Sequence, residues 1–474
     1  MNFLSRIFKA RRKRSLEAGG GGRRWDSAPS ISNLNASLDA GGPAIRRRGA
    51  YYARNNPHVS NAINAHVANI IGTGIRPRSR HPDPEMRKRL NSAFEQWIAQ
   101  ADIAGRTDFY GLQAQAVRNV IEAGEAFARF RVDTDSPVMP LRLQMLASDQ
   151  IDSTLHRDLD GGTRIRAGVE FNADGRRTFY HVLPARPGDP NGVNWNPFRV
   201  PASEVMHVFE ALEVGQVRGL SALAPVLLRV HDLDQYEDAQ LVRQKVAALF
   251  AGFLIDPNGD AAGFDGTKDD SILSTGLEPG TLKVLPPGYD IRFSDPAEVG
   301  NVNDFIKAQL RAIAAGIGVT YEQMTGDLEG VNYSSIRAGL IEYRRRVDTF
   351  RWTVFIPQFC RPVWERFINM AVLTGMIPAS ELDRDAASLL AVEWHPPAWE
   401  YVDPLKDIKA DREAVEAGFK SRSQVINELG EDPEQVDAQR AEDTGRSARL
   451  GLSEAENGGD PTAPDDETED RPNA

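Results

Sequence analysis

Cysteine is almost absent from this sequence of 474 residues, which contains only Cys360. A single cysteine excludes a disulfide within the chain and any metal or iron–sulfur site built from several thiolates. Long apolar runs are missing too. The best one, residues 246–255, has the size of a core element and is shorter than the roughly 18 residues of a membrane span. The basic start, residues 1–9, is not followed by the apolar stretch of a secretory signal, so we expect neither a membrane span nor secretion.

Signatures of nucleotide and metal chemistry are also missing. No segment has the G-x-x-x-x-G-K-[ST] pattern of a phosphate-binding loop. The pair Gly72 and Gly74 lacks the third glycine of a dinucleotide fingerprint and follows a helix pattern instead of a strand. The eight histidines include no pair at the H-x-x-x-H spacing of a zinc site. We therefore expect no cofactor and no resident metal.

Positive charge is in deficit, and its distribution is uneven. The formal net charge is −11, from 56 basic and 67 acidic residues. Residues 1–24 hold eight bases and one acid, whereas residues 441–474 hold ten acids and three bases. Tight binding of DNA phosphates requires a positive surface, so a conventional DNA-binding protein is excluded. Both ends have the composition of disorder, which predicts a disordered basic arm over residues 1–50 and a disordered acidic tail over residues 441–474.

The middle of the chain has enough apolar residues, 41% overall, for two or three packed domains. Residues 51–218 predict a mixed α+β unit. A helix begins at Asn56-Pro57, and others begin near Pro84 and Asp108. Period-two patterns then predict strands over 127–132, 141–146 and 205–209, and a hairpin that turns at Asp174-Gly175.

A long helical rod is predicted over residues 221–250, whose only proline, Pro225, lies near the start. Strands are predicted next, over 251–255, 280–285 and 289–293, with a flexible stretch at 256–280. Helical spacing returns over 303–318 and again over 334–374, with a break or kink at Pro357 and Pro362. A small helical unit follows over 379–440.

No convincing active site emerges from the residues. Ser221 lies between a predicted strand and a predicted helix, as the serine of a nucleophile elbow does, but position 223 is Leu where that motif needs Gly. A helix N-cap is therefore the better interpretation of Ser221. Asp327 and Glu329 are paired acids in a loop, for which solvation is more common than catalysis. The sequence directs attention to assembly instead.

Short motifs follow one another in the order of one known family. They are NP at 56–57, NIIGTGI at 69–75, FEQW at 94–97, GEAF at 124–127, GQVRG at 215–219, YEDA at 236–239, LEPG at 277–280, LPPG at 285–288, IAAGIGVTYE at 313–322, TGD at 325–327, NYSSIR at 332–337 and DPLK at 403–406. Over roughly residues 45–440 the sequence thereby resembles the lambda-type family of tailed-bacteriophage portal proteins. Each fragment is weakly specific alone, but the whole series in register is strongly specific. The glycine-rich start and the acidic end depart from the family.

The resemblance implies a mainly helical α+β portal fold that forms rings. The divisions that it implies are a disordered arm (1–50), a wing (51–218), a first stem helix (219–250), a clip (251–302), a second stem helix (303–322), a tunnel loop (323–334), a long wing helix (335–378), a helical crown (379–440) and a disordered tail (441–474).

The resemblance also implies a function. About twelve subunits would form a closed ring at one capsid vertex of a virion, after assembly in the host cytoplasm. The ring would be the channel for packaging and ejection of double-stranded DNA, which passes without sequence-specific binding. The other implied partners are the terminase large subunit, the major capsid or scaffold protein and a head–tail adaptor.

Negative charge suits such a channel, because lysine and arginine contacts release counterions and hold a duplex in place. We therefore predict that acidic side chains of the rod and of the tunnel loop, together with one amide, line the channel: Asp232, Asp234, Glu237, Asp238, Asp327, Glu329 and Asn332. The alternative is that the acids of the rod lie on a solvated outer face or in salt bridges between subunits.

Arginines are concentrated on the long helix, and a ring repeats every interface charge in each subunit. We predict that they pair with acids of a neighbouring subunit: Arg337, Arg344, Arg345, Arg346 and Arg351. Two other functions stay open. One is a capsid-associated serine hydrolase or protease that uses Ser221. The other is a generic head–tail connector, although connectors are usually shorter and lack the rod–strands–rod arrangement.

Overall fold

Helices and strands are mixed along the chain, which confirms the predicted α+β class. The computed structural model describes residues 33–136, 139–190, 196–248, 252–255, 267–269, 272–274, 290–293, 302–330, 333–401 and 403–452. The helices are α1 (Leu34–Asn55), α2 (Pro57–Ile70), α3 (Pro84–Ile98), α4 (Phe109–Ala123), α5 (Leu227–Ala248), α6 (Val302–Ile317), α7 (Tyr321–Thr325), α8 (Tyr333–Phe350), α9 (Arg361–Leu373), α10 (Ala379–Leu390), α11 (Pro404–Glu416), α12 (Arg422–Glu428) and α13 (Pro433–Leu450). The strands are β1 (Arg76–Ser79), β2 (Ala126–Val132), β3 (Leu141–Leu146), β4 (Arg157–Asp158), β5 (Arg164–Arg166), β6 (Val169–Phe171), β7 (Arg177–Val182), β8 (Phe198–Pro201), β9 (Val205–Val208), β10 (Gly252–Ile255), β11 (Thr267–Asp269), β12 (Ile272–Ser274), β13 (Asp290–Phe293) and β14 (Val392–His395).

Two antiparallel sheets dominate the first half of the chain. One has three strands in the order β3-β2-β9, and the central Phe127 is paired with Leu146 on one side and with His207 on the other. The second sheet has five strands in sequential order, β4 to β8. The predicted hairpin is confirmed, because β6 and β7 flank a turn in which Gly175 has φ +81°. Glycine reaches this region of φ without steric cost.

An aromatic cluster from α3, α4 and α9 forms the centre of the main core. Phe94 and Trp97 lie one turn apart on α3, so they face the same side, with ring centroids 5.2 Å apart. Phe94 also contacts Phe367 of α9 at 5.0 Å and Phe109 of α4 at 5.6 Å. The buried indole N–H of Trp97 donates to the carbonyl oxygen of Leu141, 2.8 Å away. This hydrogen bond ties the helical core to β3.

The prediction of disorder through residue 50 is wrong for residues 34–50, which belong to α1. Leu38 and Tyr52 are buried and Ile45 is partly buried, at a spacing of seven residues. Gly49 is buried too, and a Cβ there would lie 3.1 Å from the carbonyl oxygen of Glu122 in α4. The absence of a side chain at Gly49 therefore allows close packing of α1 on α4.

The rod is shorter than predicted. The helix begins at Leu227 instead of residue 221 and spans 22 residues, or about 33 Å at 1.5 Å per residue. The chain ahead of it forms a turn, so the proline at position 225 precedes the helix.

The helix α6 lies beside α5 and confirms the helix predicted over 303–318. The rings of Tyr236 and Phe305 are 4.9 Å apart, whereas a Cβ on Gly316 would lie 2.3 Å from the side chain of Val226. The middle of α5 thus contacts the start of α6, whereas the turn ahead of α5 contacts the end of α6, so the two helices are antiparallel. Because Gly316 has no side chain, the turn ahead of α5 can pack closely against the end of α6.

Two of the three strands predicted between these helices are confirmed. The strand β10 pairs with β13 in antiparallel register, Gly252 opposite Phe293. The third, predicted over 280–285, lies outside the described residues. Within the stretch predicted to be flexible, β11 and β12 form a short antiparallel pair instead.

The long helical stretch predicted over 334–374 is present as α8 and α9, joined by the π-helical segment Arg351–Cys360. Pro357 lies inside that segment, and Pro362 lies in the first turn of α9. A proline in a helix interior removes one hydrogen bond, and a π-helical turn is one way to accommodate such an irregularity. The winding of the helix therefore changes at Pro357, and the helix continues.

The C-terminal unit is joined to the first half of the chain by a strand that was not predicted. The strand β14 pairs with β1 in antiparallel register, His395 opposite Arg76. The predicted disordered tail is wrong for residues 441–450, because α13 continues to Leu450. Within these turns Arg446 pairs with Asp443 at a spacing of three residues, a pattern that supports a solvated helix.

Candidate channel surface and the junction behind it

Two glycine motifs meet where the three-stranded sheet contacts the turn that leads into α5. Gly124 ends α4 with φ +94°, and Gly219 precedes the turn that leads into α5. A Cβ on Gly124 would lie 2.4 Å from the carbonyl carbon of Leu220, and one on Gly219 would lie 2.0 Å from the carbonyl oxygen of Gly124. Only glycine allows the two segments to approach this closely.

A buried ion pair locks this junction. Glu125, the residue after Gly124, is fully buried, and its two oxygens lie 3.0 and 2.9 Å from Nε of Arg218. Nε2 of His207 and the backbone N–H of Gly219 also face this carboxylate, at 3.0 and 2.9 Å. Nη2 of Arg218 also donates to Glu125, and the other N–H groups of Nη1 and Nη2 donate to three backbone carbonyl oxygens. Charged groups this deeply buried are stable only when they are satisfied in this way.

The protonation states follow from the surroundings. Burial alone would raise the pKa of Glu125, but the charge of Arg218 and the hydrogen bonds from His207 and Arg218 outweigh it and hold the pKa well below its usual range. Burial lowers the pKa of His207 to about 4, although the hydrogen bond to Glu125 opposes this shift. At neutral pH the carboxylate is therefore ionised and the imidazole neutral. The cluster thus joins the three-stranded sheet to the segment that leads into α5.

Ser221 is part of the same junction. It is 3% exposed, and its hydroxyl lies 2.8 and 3.2 Å from the carbonyl oxygens of Glu122 and Ile121. The same oxygen accepts the backbone N–H of Leu223 at 3.1 Å. These contacts cap the turn before α5, as an N-cap serine does. Among the described hydrogen bonds, none joins Ser221 to a histidine, so the geometry gives the hydrolase alternative no support.

The four acidic residues of α5 are not on one face. Asp232 and Asp238 are exposed, whereas Asp234 and Glu237 are half-buried. The carboxylate of Asp234 accepts a 2.6 Å hydrogen bond from Asn56, the residue that caps α2. Burial raises the pKa of Glu237, and the charges of Asp234 and Asp238 add to the shift. The four acids of α5 therefore divide into two exposed carboxylates and two half-buried ones.

The acids of the predicted tunnel loop are held by groups of neighbouring elements. Asp327 accepts hydrogen bonds from the hydroxyl of Tyr321 and from the backbone N–H of Glu329, both at 2.9 Å. The hydrogen bonds from the backbone N–H of Glu329 and from the hydroxyl of Tyr321 lower the pKa of Asp327. Nζ of Lys307, on α6, lies 3.6 Å from Asp327 and 3.4 Å from Glu329. Asn332 lies outside the described residues.

One predicted inter-subunit arginine is an internal residue. Arg351 is 2% exposed, and its guanidinium donates to the carbonyl oxygens of Ile70 at 2.8 Å and Asn69 at 2.7 Å. These carbonyls end α2, where a cation is favoured by the helix dipole. The prediction of an inter-subunit contact is therefore wrong for Arg351, whose donors are used within the subunit.

Two further arginines bind the C-terminal unit of the same chain. Arg344 lies over the ring of Trp399 at 5.2 Å and donates to the carbonyl oxygen of Glu400 at 2.9 Å. Arg337 lies 3.6 Å from the carboxylate of Asp407. Two further arginines of this helix, Arg345 and Arg346, are exposed. The side chain of Arg345 is 76% exposed, and among the described residues its one ion pair is with Glu342 of its own helix, at 3.8 Å.

Metal chemistry and a bilayer crossing have no counterpart in the part of the chain that the structure describes. Within those residues, no three acidic, histidine or cysteine side chains are grouped so that they could hold an ion. Among the described helices, none has both the length and the apolar content of a membrane span.

The comparison with protein families decides the identity. The family model for "phage portal protein, lambda family" matches residues 20–351, which include the junction, the helices α5 and α6 and the loop between α7 and α8. The chain belongs to the lambda family of phage portal proteins. The family predicted from the sequence is thus confirmed, and with it a structural component of the capsid vertex of a virion.

Individual portal proteins are similar along most of their length. The probable portal protein of Halomonas phage phiHAP-1 is 27% identical, over 99% of this chain and 93% of its own. Portal protein B of Escherichia phage lambda is 24% identical, over 92% of this chain and 89% of its own. Among solved structures, a chain in the neck of a native gene transfer agent particle has a TM-score of 0.47 at 15% identity, covering 83% of this chain and 94% of that one. An HK97-family portal protein from Corynebacterium diphtheriae has a TM-score of 0.33 at 12% identity, covering 75% and 94%.

Two of the motifs that carried the resemblance lie at this junction. GEAF supplies Gly124 and Glu125, and GQVRG supplies Arg218 and Gly219, so two segments far apart in the sequence form one ion pair. The sequence reasoning missed this pair, although an acid directly before a wholly apolar strand start was a signal for it. It also missed Lys307 as the partner of the loop acids, for which no local pattern exists.

Proposed function

We propose that copies of this chain form a closed ring of about twelve subunits around a channel for double-stranded DNA. The terminase large subunit docks on the ring during packaging, and a head–tail adaptor replaces it afterwards. In this assignment the sheets and α1–α4 form the wing, α5 and α6 the stem, and β10–β13 the clip. The unit from α10 to α13 forms the crown.

The observation that carries the proposal is the match of the lambda portal family over residues 20–351. The antiparallel pair α5 and α6, with a strand pair at its far end, supports the assignment of stem and clip. The arginines support a ring. With Arg337, Arg344 and Arg351 engaged inside the subunit, the exposed pair Arg345 and Arg346 is the proposed inter-subunit contact.

The proposed channel lining is acidic, and the geometry ranks its members. Asp232, Asp238 and Glu329 have the exposed carboxylates that a passing duplex would meet. Asp234 and Asp327 are set back by their hydrogen bonds and Glu237 by its partial burial, and all three add negative potential from behind. Such a wall keeps phosphates away and leaves the duplex free to slide.

Charge reversal in the stem tests the lining. Rings of Asp232→Lys/Asp238→Lys protein should bind a linear duplex in a gel-shift assay at low salt, with affinity that falls steeply as salt is added. Wild-type rings should not bind it. The control is Asp160→Lys/Asp174→Lys, which makes the same change of charge on exposed loops of the five-stranded sheet. Equal DNA binding by the two variants would contradict the proposed lining.

A further inference from the structure

The end of β2 has a neighbouring strand on one side only. β9 pairs with β2 no further than Arg129, because the 3₁₀ turn Ala202–Glu204 comes directly before β9. On the other side β3 continues to Val132. A cavity of about 240 Å³ lies along the unpaired edge that remains, residues 130–132. The edge therefore has backbone groups that face a cavity instead of another strand.

Arginines flank this edge from both faces of the sheet. Successive side chains of a strand point to opposite faces, so Arg129 and Arg131 share one face and Phe130 has the other. The guanidinium of Arg366, from α9, lies over the ring of Phe130 at 4.7 Å. All three arginines line the cavity, and Glu204 is its one acidic lining residue.

The arginines have donor groups to spare. Nε of Arg129 is buried and has no hydrogen-bond partner among the described residues, and the carboxylate of Glu204 lies 3.5 Å from its Nη2. Arg131 makes a long hydrogen bond of 3.4 Å to Gln144. One nitrogen of Arg366 donates to a backbone carbonyl at 2.7 Å. Each guanidinium has five N–H donors. The cavity and the unpaired edge of β2 beside it, residues 130–132, form a cleft that combines excess positive charge with unused donors.

We propose that this cleft binds an extended, carboxylate-rich peptide that adds to β2 as a further strand. Main-chain hydrogen bonds to residues 130–132 hold the peptide, as in other cases of strand addition. Its acidic side chains alternate between the two faces and so meet Arg129 and Arg131 on one face and Arg366 on the other. Pairs of arginine and carboxylate are among the strongest hydrogen-bonded contacts.

The acidic segment at residues 465–470 is the occupant that we assign to the cleft. It reads DDETED, with five acids in six positions, the densest acidic run in a chain of 474 residues. It has acids at both odd and even positions, so both faces of an added strand present carboxylates to the arginines. Its charge is opposite to that of the cleft.

A labelled peptide of residues 462–471 tests the site by fluorescence anisotropy. The acceptor is the full-length chain in which the five acids of 465–470 are changed to their amides, so that the chain's own segment does not compete. We expect this acceptor to bind the peptide at least tenfold more tightly than wild type does. Arg131→Gln and Arg366→Gln should each weaken binding about tenfold or more, the usual loss for a charged hydrogen bond.

The controls separate a peptide site from a simple anion site. Arg106→Gln, an exposed arginine elsewhere, should leave binding unchanged, and circular dichroism should show that every variant is folded. A peptide with N-methyl groups at alternate backbone positions should bind poorly, because it cannot pair with the edge. The proposal is overturned if both arginine variants bind normally. It is also overturned if inorganic phosphate displaces the peptide while the N-methylated peptide binds equally well.

Discussion

The buried pair of Glu125 and Arg218 provides the sharpest test of how the three-stranded sheet is fixed to the segment that leads into α5. In Glu125→Gln the shape of the side chain is kept, but its negative charge is lost. The guanidinium of Arg218, whose side chain is 3% exposed, then stays buried without a counter-ion. The new amide group also brings N–H donors towards the donors of Arg218 and Gly219. Removing one partner of such a buried pair costs about 3–5 kcal/mol.

The assay is the free energy of unfolding from urea titrations at pH 7, followed by far-ultraviolet circular dichroism. Glu122→Gln is the matched control three residues earlier, in the last turn of α4, because Glu122 pairs at 3.0 Å with Arg54, whose side chain is 60% exposed. An exposed pair of this kind contributes no more than about 1 kcal/mol. If Glu125→Gln is no more destabilising than Glu122→Gln, the junction is not held by this ion pair.

A double variant tests whether the penalty comes from the unpaired charge. Glu125→Leu/Arg218→Met removes both charges together, so its destabilisation should be clearly smaller than the sum of the two single changes. Destabilisation equal to the sum of the two single changes would refute the coupling.

Two other predictions concern the buried imidazole of His207 and the buried guanidinium of Arg351. Because the pKa of His207 is about 4 in the fold against 6.5 as its ordinary value, unfolded protein takes up a proton first as the pH falls, and stability is lost between these values by up to about 1.4 kcal/mol per pH unit. In His207→Gln the curve of unfolding free energy against pH should be flatter over this window, and an unchanged slope would contradict the assignment. Arg351→Met should lose about 2–4 kcal/mol, since two buried carbonyls lose their donors, whereas Arg345→Met on α8 should change stability by less than about 0.5 kcal/mol. Equal thermal stability of the two variants would refute the role of Arg351 at the end of α2.

Much of the fold was predictable because its signals are local. The start of α2 at Asn56-Pro57 and the turn at Gly175 each depend on a few neighbouring residues. The helix α1 was missed because its glycines have the composition of a linker, although Gly49 packs closely against α4. The start of α5 was misplaced because Ser221 caps a turn that precedes the helix.

The candidate site was harder to predict, because its geometry depends on contacts between distant residues. The sequence shows that four acids are concentrated on α5. The orientation of the Asp234 side chain, however, is set by a hydrogen bond from Asn56, which is 178 positions away. Likewise, Arg351 belonged to a basic cluster in the sequence, yet its partners at the end of α2 are about 280 positions away. Charge patterns thus identified which helices carry the charged residues, but tertiary contacts determine which of those side chains are exposed.

The most direct test of the central claim is the assembly of the full-length chain. Native mass spectrometry gives the number of copies, and electron microscopy of the same sample gives the view along the axis. The account predicts a closed ring of about twelve copies with a central hole wide enough for a DNA duplex. A chain that stays monomeric under assembly conditions, or a ring closed at its centre, would contradict it.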